Sequence, residues 1–394
     1  MYPNLYYAFQ DLFGVEIRFL RFVNSFGFFV ALAFIAAAVV LTRELKRKER
    51  EGLLQPMEET ITVGKPAGFS ELLINFIIGF LFGYKIAGAY FLDASITDDT
   101  QAYIFSAEGH MPSGIILGLV FAGLRWWDKR KQMLPKPEQK KVRVWPHDRV
   151  GDMVIFAAIF GFAGAKVFHN LENWNEFVAD PIGSLFSPSG LTFYGGLICA
   201  AVAIWYYAKK KGIHFWHLND AAAPALMLAY ALGRVGCQVS GDGDWGIVNN
   251  NPKPFSWIPD WAWAYNYPHN VNNEGVPIPG CVGQYCSQLP EAVYPTPLYE
   301  TLMCLILFGM LMAMRKRIRI PGVLFSIYLI FNGMERFLIE KIRVNTTYSI
   351  MGFEPTQAEL ISGALVISGI VLWYWRRKLS SPEPGIRKPD RSAD

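Results

Sequence analysis

Nine long apolar runs leave this chain few ways to fold. They read "FGFFVALAFIAAAVVL", "LLINFIIGFLFGYKIAGAYF", "SGIILGLVFAGLRWW", "MVIFAAIFGFAGAKVF", "LTFYGGLICAAVAIWYYA", "AAAPALMLAYALGRVG", "LYETLMCLILFGMLMAM", "PGVLFSIYLIFNGMERFLIE" and "ELISGALVISGIVLWYW". Each approaches the ~20 residues that cross roughly 30 Å of hydrocarbon as a helix, and the shorter ones start in the interface or tilt. A chain that is 52% hydrophobic and 15% aromatic would struggle to hide that surface as one soluble domain. The expectation is an all-α polytopic membrane helix bundle of about nine transmembrane helices.

Loop charge orients the bundle. "TRELKRKER", "RWWDKRKQMLPKPEQKKVR", "KKKG", "MRKRIRI" and "RRKLSS" follow alternate runs, while "LDASITDDTQ", "NLENWNEFVADP" and residues 240–291 hold almost no Lys or Arg. By the positive-inside rule the N-terminus lies outside and the C-terminus inside. The net charge of +4 is spread over these inner loops, which argues against a nucleic-acid partner. No stretch has the order of a cleavable signal peptide, so the first run is expected to stay as an anchor. The tail over 381–394 reads as disordered.

Five cysteines are too few for a disulfide scaffold. Cys281 and Cys286 lie in the outer loop, where a bridge is open to them, and Cys199, Cys237 and Cys304 read as small packing residues. His214 and His217 stand alone, so a plain interface pair is the expected reading over a metal site.

One internal repeat is present without gaps. Gly83 and Lys85 recur as Gly164 and Lys166, Gly114 as Gly195, and Lys129 and Arg130 as Lys210 and Lys211, always 166 − 85 = 81 residues on. The unit is a helical hairpin, 66–131 repeated as 147–212, inside a single membrane domain over 1–380. Duplication that enlarged the bundle is the bland account; a parallel-repeat transporter is the sharper one, with Lys85 and Lys166 as its mid-membrane groups. Only the second copy carries "GLTFYGGL", whose paired Gly195 and Gly196 let another backbone or a lipid head group come close.

Chemistry concentrates in "GRVGCQVSGDGDWG" at 233–246. An arginine near a helix end has the plain option of snorkelling to head groups. Here Gly233, Gly236, Gly241, Gly243 and Gly246 open a polar turn at membrane depth, which is tolerated where backbone lines a cavity or is buried in protein. The guanidinium of Arg234 binds phosphate through a bidentate fork, so a phospholipid head group is a natural occupant. Arg336, Glu340 and Arg343 share one helical face, either as a structural ion-pair ladder or as part of a shared anion site. Tyr299 and Glu300 begin another helix after two prolines, where Glu300 has the simple alternative of answering backbone donors.

With these motifs in hand, the chain resembles the prolipoprotein diacylglyceryl transferases, from about "DRVGDMVIFAAIFGFAGAKVFHN" through "FVADP", "GLTFYGGLI", "GRVGCQVSGDGDWG", "YPTPLYE" and "RFLIEKIR" to the last run. The resemblance implies transfer of the diacylglyceryl group of phosphatidylglycerol to the lipobox cysteine thiol in a prolipoprotein signal peptide, releasing glycerol phosphate. It implies a multi-pass protein of the bacterial inner membrane with its site toward the periplasm, and neither a cofactor nor a metal is expected. The family signature falls on Gly233, Arg234, Gly236, Asp242 and Gly246, and its second essential arginine on Arg336, with Glu340 and Arg343 following. The arginines are expected to hold the phosphate and stabilise charge developing on it, and the thiol must ionise to attack. The expected substrate-binding set is Arg234, Gly195, Gly196, Gly236, Gly246, Asp244, Arg343, Tyr299 and Glu300.

The departures are chemical. Tyr194 stands where the family has histidine, Cys237 where it has asparagine, Asp242 replaces glutamate with one residue inserted before Trp245, and Phe26 stands for a tyrosine. The base is therefore Tyr194 with arginine lowering its pKa, or one of Asp242, Asp244 and Glu340. The loop over 247–294 is expected to cover the site and meet the precursor, while its Trp257, Trp261 and Trp263 are equally an interfacial belt. The rival from another class is an inactive lipid-binding or lipid-transporting protein of the same fold.

Overall fold

In the computed structural model the structure describes residues 1–92, 103, 104, 106–187, 190, 192–345 and 355–380. Most of the acidic loop over 92–101 and all of the tail over 381–394 lie outside the described residues. Helix α1 (Leu5–Phe13) is capped by Asn4, whose side chain accepts from the Tyr7 amide, and it stops at Gly14, where φ is 66°. Helix α2 (Ser25–Arg50) has Asn24 accepting from the Gly27 amide. It ends in the basic run that the charge pattern assigns to one side.

After α2 the chain forms strand β1 (Met57–Val63), helix α3 (Phe69–Leu81) with a π turn over Phe82–Ala87, helix α4 (Met111–Lys131) and strand β2 (Glu138–Val144). β1 and β2 pair antiparallel from Met57↔Val144 to Val63↔Glu138, so the hairpin α3–α4 leaves and rejoins the chain at one place. Glu59 ties this ribbon to the rest through Lys211 at 2.7 Å and Arg149 at 2.8 Å. Lys211 first and Arg149 second hold the Glu59 carboxyl below its ordinary range. At the other end Phe19 stacks on Tyr90, with centroids 5.7 Å apart.

A second hairpin follows: α5 (Val150–Glu172), short α6 (Trp174–Ala179) and α7 (Pro181–Phe186), then α8 (Phe193–Lys210). Both stretches set 81 residues apart thus fold as helical hairpins, and each lysine reaches the same place. Lys85 Nζ donates to the Ser106 carbonyl at 2.7 Å, and Lys166 Nζ to the Ser187 carbonyl at 2.8 Å. The long stems carry both ammonium groups to loop carbonyls at the hairpin tips. This corrects the expectation of mid-membrane groups, and the transporter reading loses its candidate site.

The bundle proper is α2 against α9 (Phe215–Ser240), with α10 (Thr296–Met314), α11 (Val323–Glu340) and α12 (Gln357–Ser380). Ala223, Met227, Ala231, Cys304, Leu311 and Leu324 form its centre. At the basic end Leu45, Met153, Tyr207 and Leu218 join α2, α5, α8 and α9. Asp220 accepts the amides of Gly322 at 2.8 Å and Phe325 at 3.0 Å, which answers orphan donors at the start of α11.

Over their described residues, the nine apolar runs fall mainly on helices. Among the described residues, five helices are long and apolar enough to cross a membrane: Ser25–Arg50, Phe69–Tyr90, Pro146–Glu172, Thr296–Met314 and Gln357–Leu379. Beyond the end of α9, Tyr267, Leu289 and Val293 of the segment over 247–294 cluster with Trp245 of the preceding turn, and the Tyr267 hydroxyl donates to Gln238 Oε1 of α9 at 2.8 Å. Cys281 and Cys286 are bridged within it.

Candidate active site

Three chain segments meet at the loop end. Helix α9 brings Arg234 in its last two turns and stops at Gly241, where φ is 65°. The turn that follows needs left-handed backbone again at Gly243, with φ 96°, and it carries Asp242 and Asp244. Gly246 then passes so close to the end of α11 that an added Cβ would lie 2.4 Å from the Ile342 carbonyl. Helix α10 starts after Pro295 and places Glu300 in its second turn. Helix α11 ends with Arg336 and Glu340, and Arg343 follows in the turn. Arginines near helix C-termini and a glutamate near a helix N-terminus each suit the local peptide dipoles.

Glu300 is the hub. It is 0% exposed and is ion-paired with Arg234, with Arg336 at 3.2 Å and with Arg343 at 3.3 Å. A buried carboxylate needs such partners to offset lost hydration. Asp244 forms a second pole, bound by Arg234 and by Arg343 at 2.5 Å. Glu340 takes Arg336 at 3.1 Å, with Thr356 and Asn345 completing its shell at 2.7 Å and 2.5 Å. Three guanidiniums therefore face three carboxylates, and Asp244 is the most open of these acids, with 33% of its side chain exposed.

This lattice decides between the simple alternatives. Glu300 answers three arginines, and the helical ladder is real only between Arg336 and Glu340, because Arg343 turns to Asp244 and Glu300. Arg234 stays inside the protein with Tyr230 beneath it, its guanidinium carbon 5.3 Å from the ring centroid.

The other predicted residues separate by position. Tyr194, half-buried at the start of α8, lies within electrostatic reach of Arg336, Glu340 and Arg234. Cys237 sits under Arg234, whose Nη1 is 3.8 Å from its sulfur. The Tyr299 hydroxyl donates to the Ala262 carbonyl at 3.0 Å and so holds the loop over 247–294. The glycines meet protein. Added Cβ atoms would lie 2.3 Å from Phe168 Cβ at Gly195, 2.9 Å from the Gly161 carbonyl at Gly196 and 3.1 Å from Phe29 Cβ at Gly236. The close approach expected at the paired glycines is thus to the backbone of α5.

The acids of the turn differ in proton affinity. Burial alone would raise Asp244, yet Arg234 and Arg343 hold its carboxyl at about 2. Burial and then the charge of Asp244 push Asp242 upward. Cys237 Sγ and both carboxylates lie within 4.8 Å of one another, but two guanidiniums already supply the positive charge that a metal ion would bring.

Glu335 escapes sequence reasoning. It is buried on α11 within electrostatic reach of Tyr230, Glu300 and Arg336. Its signal was an acid directly before Arg336 in an apolar run, which reads equally as part of the charged stripe. Thr356 and Asn345 had no signal at all, being ordinary loop residues until Glu340 reaches them.

A sequence model of the family described as prolipoprotein diacylglyceryl transferase matches residues 110–375, about two thirds of the chain. The match starts at α4, earlier than the motifs near Asp148 on which the resemblance rests. The chain is similar to the phosphatidylglycerol–prolipoprotein diacylglyceryl transferase of Shouchella clausii, with 30% identity over 246 residues, covering 62% of this chain and 80% of that one. The protein of the same name from Leptospira interrogans is 28% identical over 300 residues, covering 69% and 84%. That of Dehalococcoides mccartyi strain BAV1 is 28% identical over 239 residues, covering 58% and 78%.

Proposed function

The chain is a multi-pass membrane protein of the prolipoprotein diacylglyceryl transferase family, and from that premise we propose that it transfers the diacylglyceryl group of phosphatidylglycerol to a prolipoprotein's lipobox cysteine. The observation that carries this reading is the convergence of Arg234, Arg336 and Arg343 on Glu300, with the partly exposed Asp244 closing the lattice. Glu300 fixes the guanidinium forks from below. The lipid phosphate takes the place of Asp244 on Arg234 and Arg343, so the carboxylate acts as a resting stand-in for the substrate's anion. The cysteine sulfur then bonds to the terminal glycerol carbon of the diacylglyceryl group while that carbon's bond to phosphate oxygen breaks. Both bonding electrons leave with glycerol phosphate, whose developing charge the arginines stabilise.

The thiol proton needs an acceptor. Asp244 is a poor one while Arg234 and Arg343 hold its carboxyl at about 2, and it becomes available only once the lipid phosphate has taken those arginines. Asp242, raised by burial and by its neighbour, is the better-matched group in the turn. Tyr194 and Glu340 complete the candidate set at the reacting face.

In this reading all nine helices cross the bacterial inner membrane, with the N-terminus and the site outside and the C-terminus inside. Hairpin 66–131 is an insertion that duplicates 147–212, and the loop over 247–294 covers the site and meets the precursor. An inactive lipid-binding protein of the same fold is the second reading, favoured by Tyr194 in the place of histidine.

The deciding experiment mixes purified protein, phosphatidylglycerol and a lipobox peptide, and follows the peptide by mass spectrometry. One added diacylglyceryl group, absent from a Cys-to-Ser peptide, is the expected result. Arg234→Ala should slow transfer by roughly a hundredfold or more. Undiminished transfer in that folded variant would remove Arg234 from the mechanism, and lipid bound without transfer by the wild type would favour the second reading.

A further inference from the structure

The tip of the hairpin α5–α8 encloses a polar cavity of about 240 Å³. Lys166 and Asn170 line its buried part, Glu176 and Asp180 its exposed part, and His169 and Ser184 lie between. Asn170 is 6% exposed, and its Nδ2 has no hydrogen-bond partner. A buried amide donor without an acceptor is costly, so an oxygen acceptor belongs in this cavity.

In the first hairpin the same place is filled by a ring. Counting 81 residues back, Lys166 becomes Lys85, Asn170 becomes Ala89 and Ser184 becomes Tyr103. Tyr103 is 3% exposed, and the Lys85 ammonium lies 4.8 Å from its ring centroid. The lysine-to-serine-carbonyl bond is common to both tips, at 2.7 Å and 2.8 Å, so the scaffold is shared and the plug is not. In the second hairpin a ring has given way to a hydroxymethyl and a methyl to an amide, which supplies room and polarity together.

The charges are ordered along the cavity. An ammonium and a free amide donor in the buried part match an anion, and two carboxylates in the exposed part match a cation. Leu171, Trp174, Val178 and Ile182 expose apolar surface on the same segment, which suits acyl chains beside the opening. We propose that this cavity binds a zwitterionic phosphodiester head group, with phosphate toward Lys166 and Asn170 and ammonium toward Glu176 and Asp180. This site is separate from the arginine lattice and does not rest on the transfer reaction. Its ligand chemistry comes from a membrane lipid or from a soluble phosphoethanolamine ester.

The test uses the full chain in detergent with equal phosphatidylethanolamine and phosphatidylglycerol, read by native mass spectrometry. The wild type should retain phosphatidylethanolamine. Ser184→Tyr, which copies the plug of the first hairpin, should lower that retention about tenfold, and Asn170→Ala, which copies Ala89, about fivefold. Phosphatidylglycerol retention at the arginine lattice should stay unchanged in both variants, which separates this site from failure of the transfer reading. Displacement by millimolar glycerophosphoethanolamine would support the site with a soluble zwitterionic phosphodiester as its source, and resistance to it would support the lipid. Should Ser184→Tyr not fold, Asn170→Ala decides alone. Equal phosphatidylethanolamine retention by the wild type and every folded variant would overturn the proposal.

Discussion

Asp244 carries two roles that a titration can tell apart. Its folded pKa of about 2 lies below the ordinary aspartate value of 3.8, so its contribution to stability is present above pH ~4 and is lost as pH falls toward ~2. The side chain is one third exposed, and solvent screening reduces the effect to on the order of 1–2 kcal/mol. Asp244→Asn should therefore lower the melting temperature at pH 6 and flatten its decline between pH 5 and pH 3; identical profiles would contradict the pairing. Arg234 was legible in sequence because glycines on both sides left it no plain neighbour. The hub function of Glu300 was not, because its three partners come from two other segments more than thirty residues away.

Helix pairing explains most of the glycines. Gly195 and Gly196 let α8 lie against α5, and Gly236 lets α9 meet Phe26 and Phe29 of α2. Small residues at such crossings are what lipid-embedded helices use to approach. The sequence signalled the close approach without saying to what, since a backbone and a head group ask for the same missing side chain. The repeated hairpin was legible by its period of 81 residues, whereas the ribbon β1–β2 was hidden in charged stretches that read as loop. Since Val63 pairs with Glu138, residues 64–137 can be replaced by an Asn-Gly turn that closes the ribbon. The shortened protein should fold and keep lipid transfer within about threefold, because none of the described residues of the α3–α4 hairpin pairs with the arginine lattice. Complete loss of transfer in a folded, monodisperse product would give the insertion a direct part in the reaction.

For the whole molecule, charge at the ends of helices sets a testable topology. The arginine lattice, the bridged loop and the exposed Trp257 lie at one end; Lys316 and the basic runs lie at the other. A membrane-impermeant maleimide should label Trp257→Cys in intact cells and Lys316→Cys only after lysis, and the reverse order would invert the proposed orientation. The nine apolar runs made the helices legible. Their arrangement was not, since α2 packs on α9 across a sequence gap that no local pattern reports. The ribbon bears on that gap. Arg50 and Phe215 are the chain ends of a long excursion that must close before α2 and α9 can meet, and zipping β1 to β2 removes about half of it. Halving a loop lowers its closure cost by about 0.6 kcal/mol. The extra length that the α3–α4 hairpin puts between α2 and α9 thus adds little to their search, provided that the ribbon folds first.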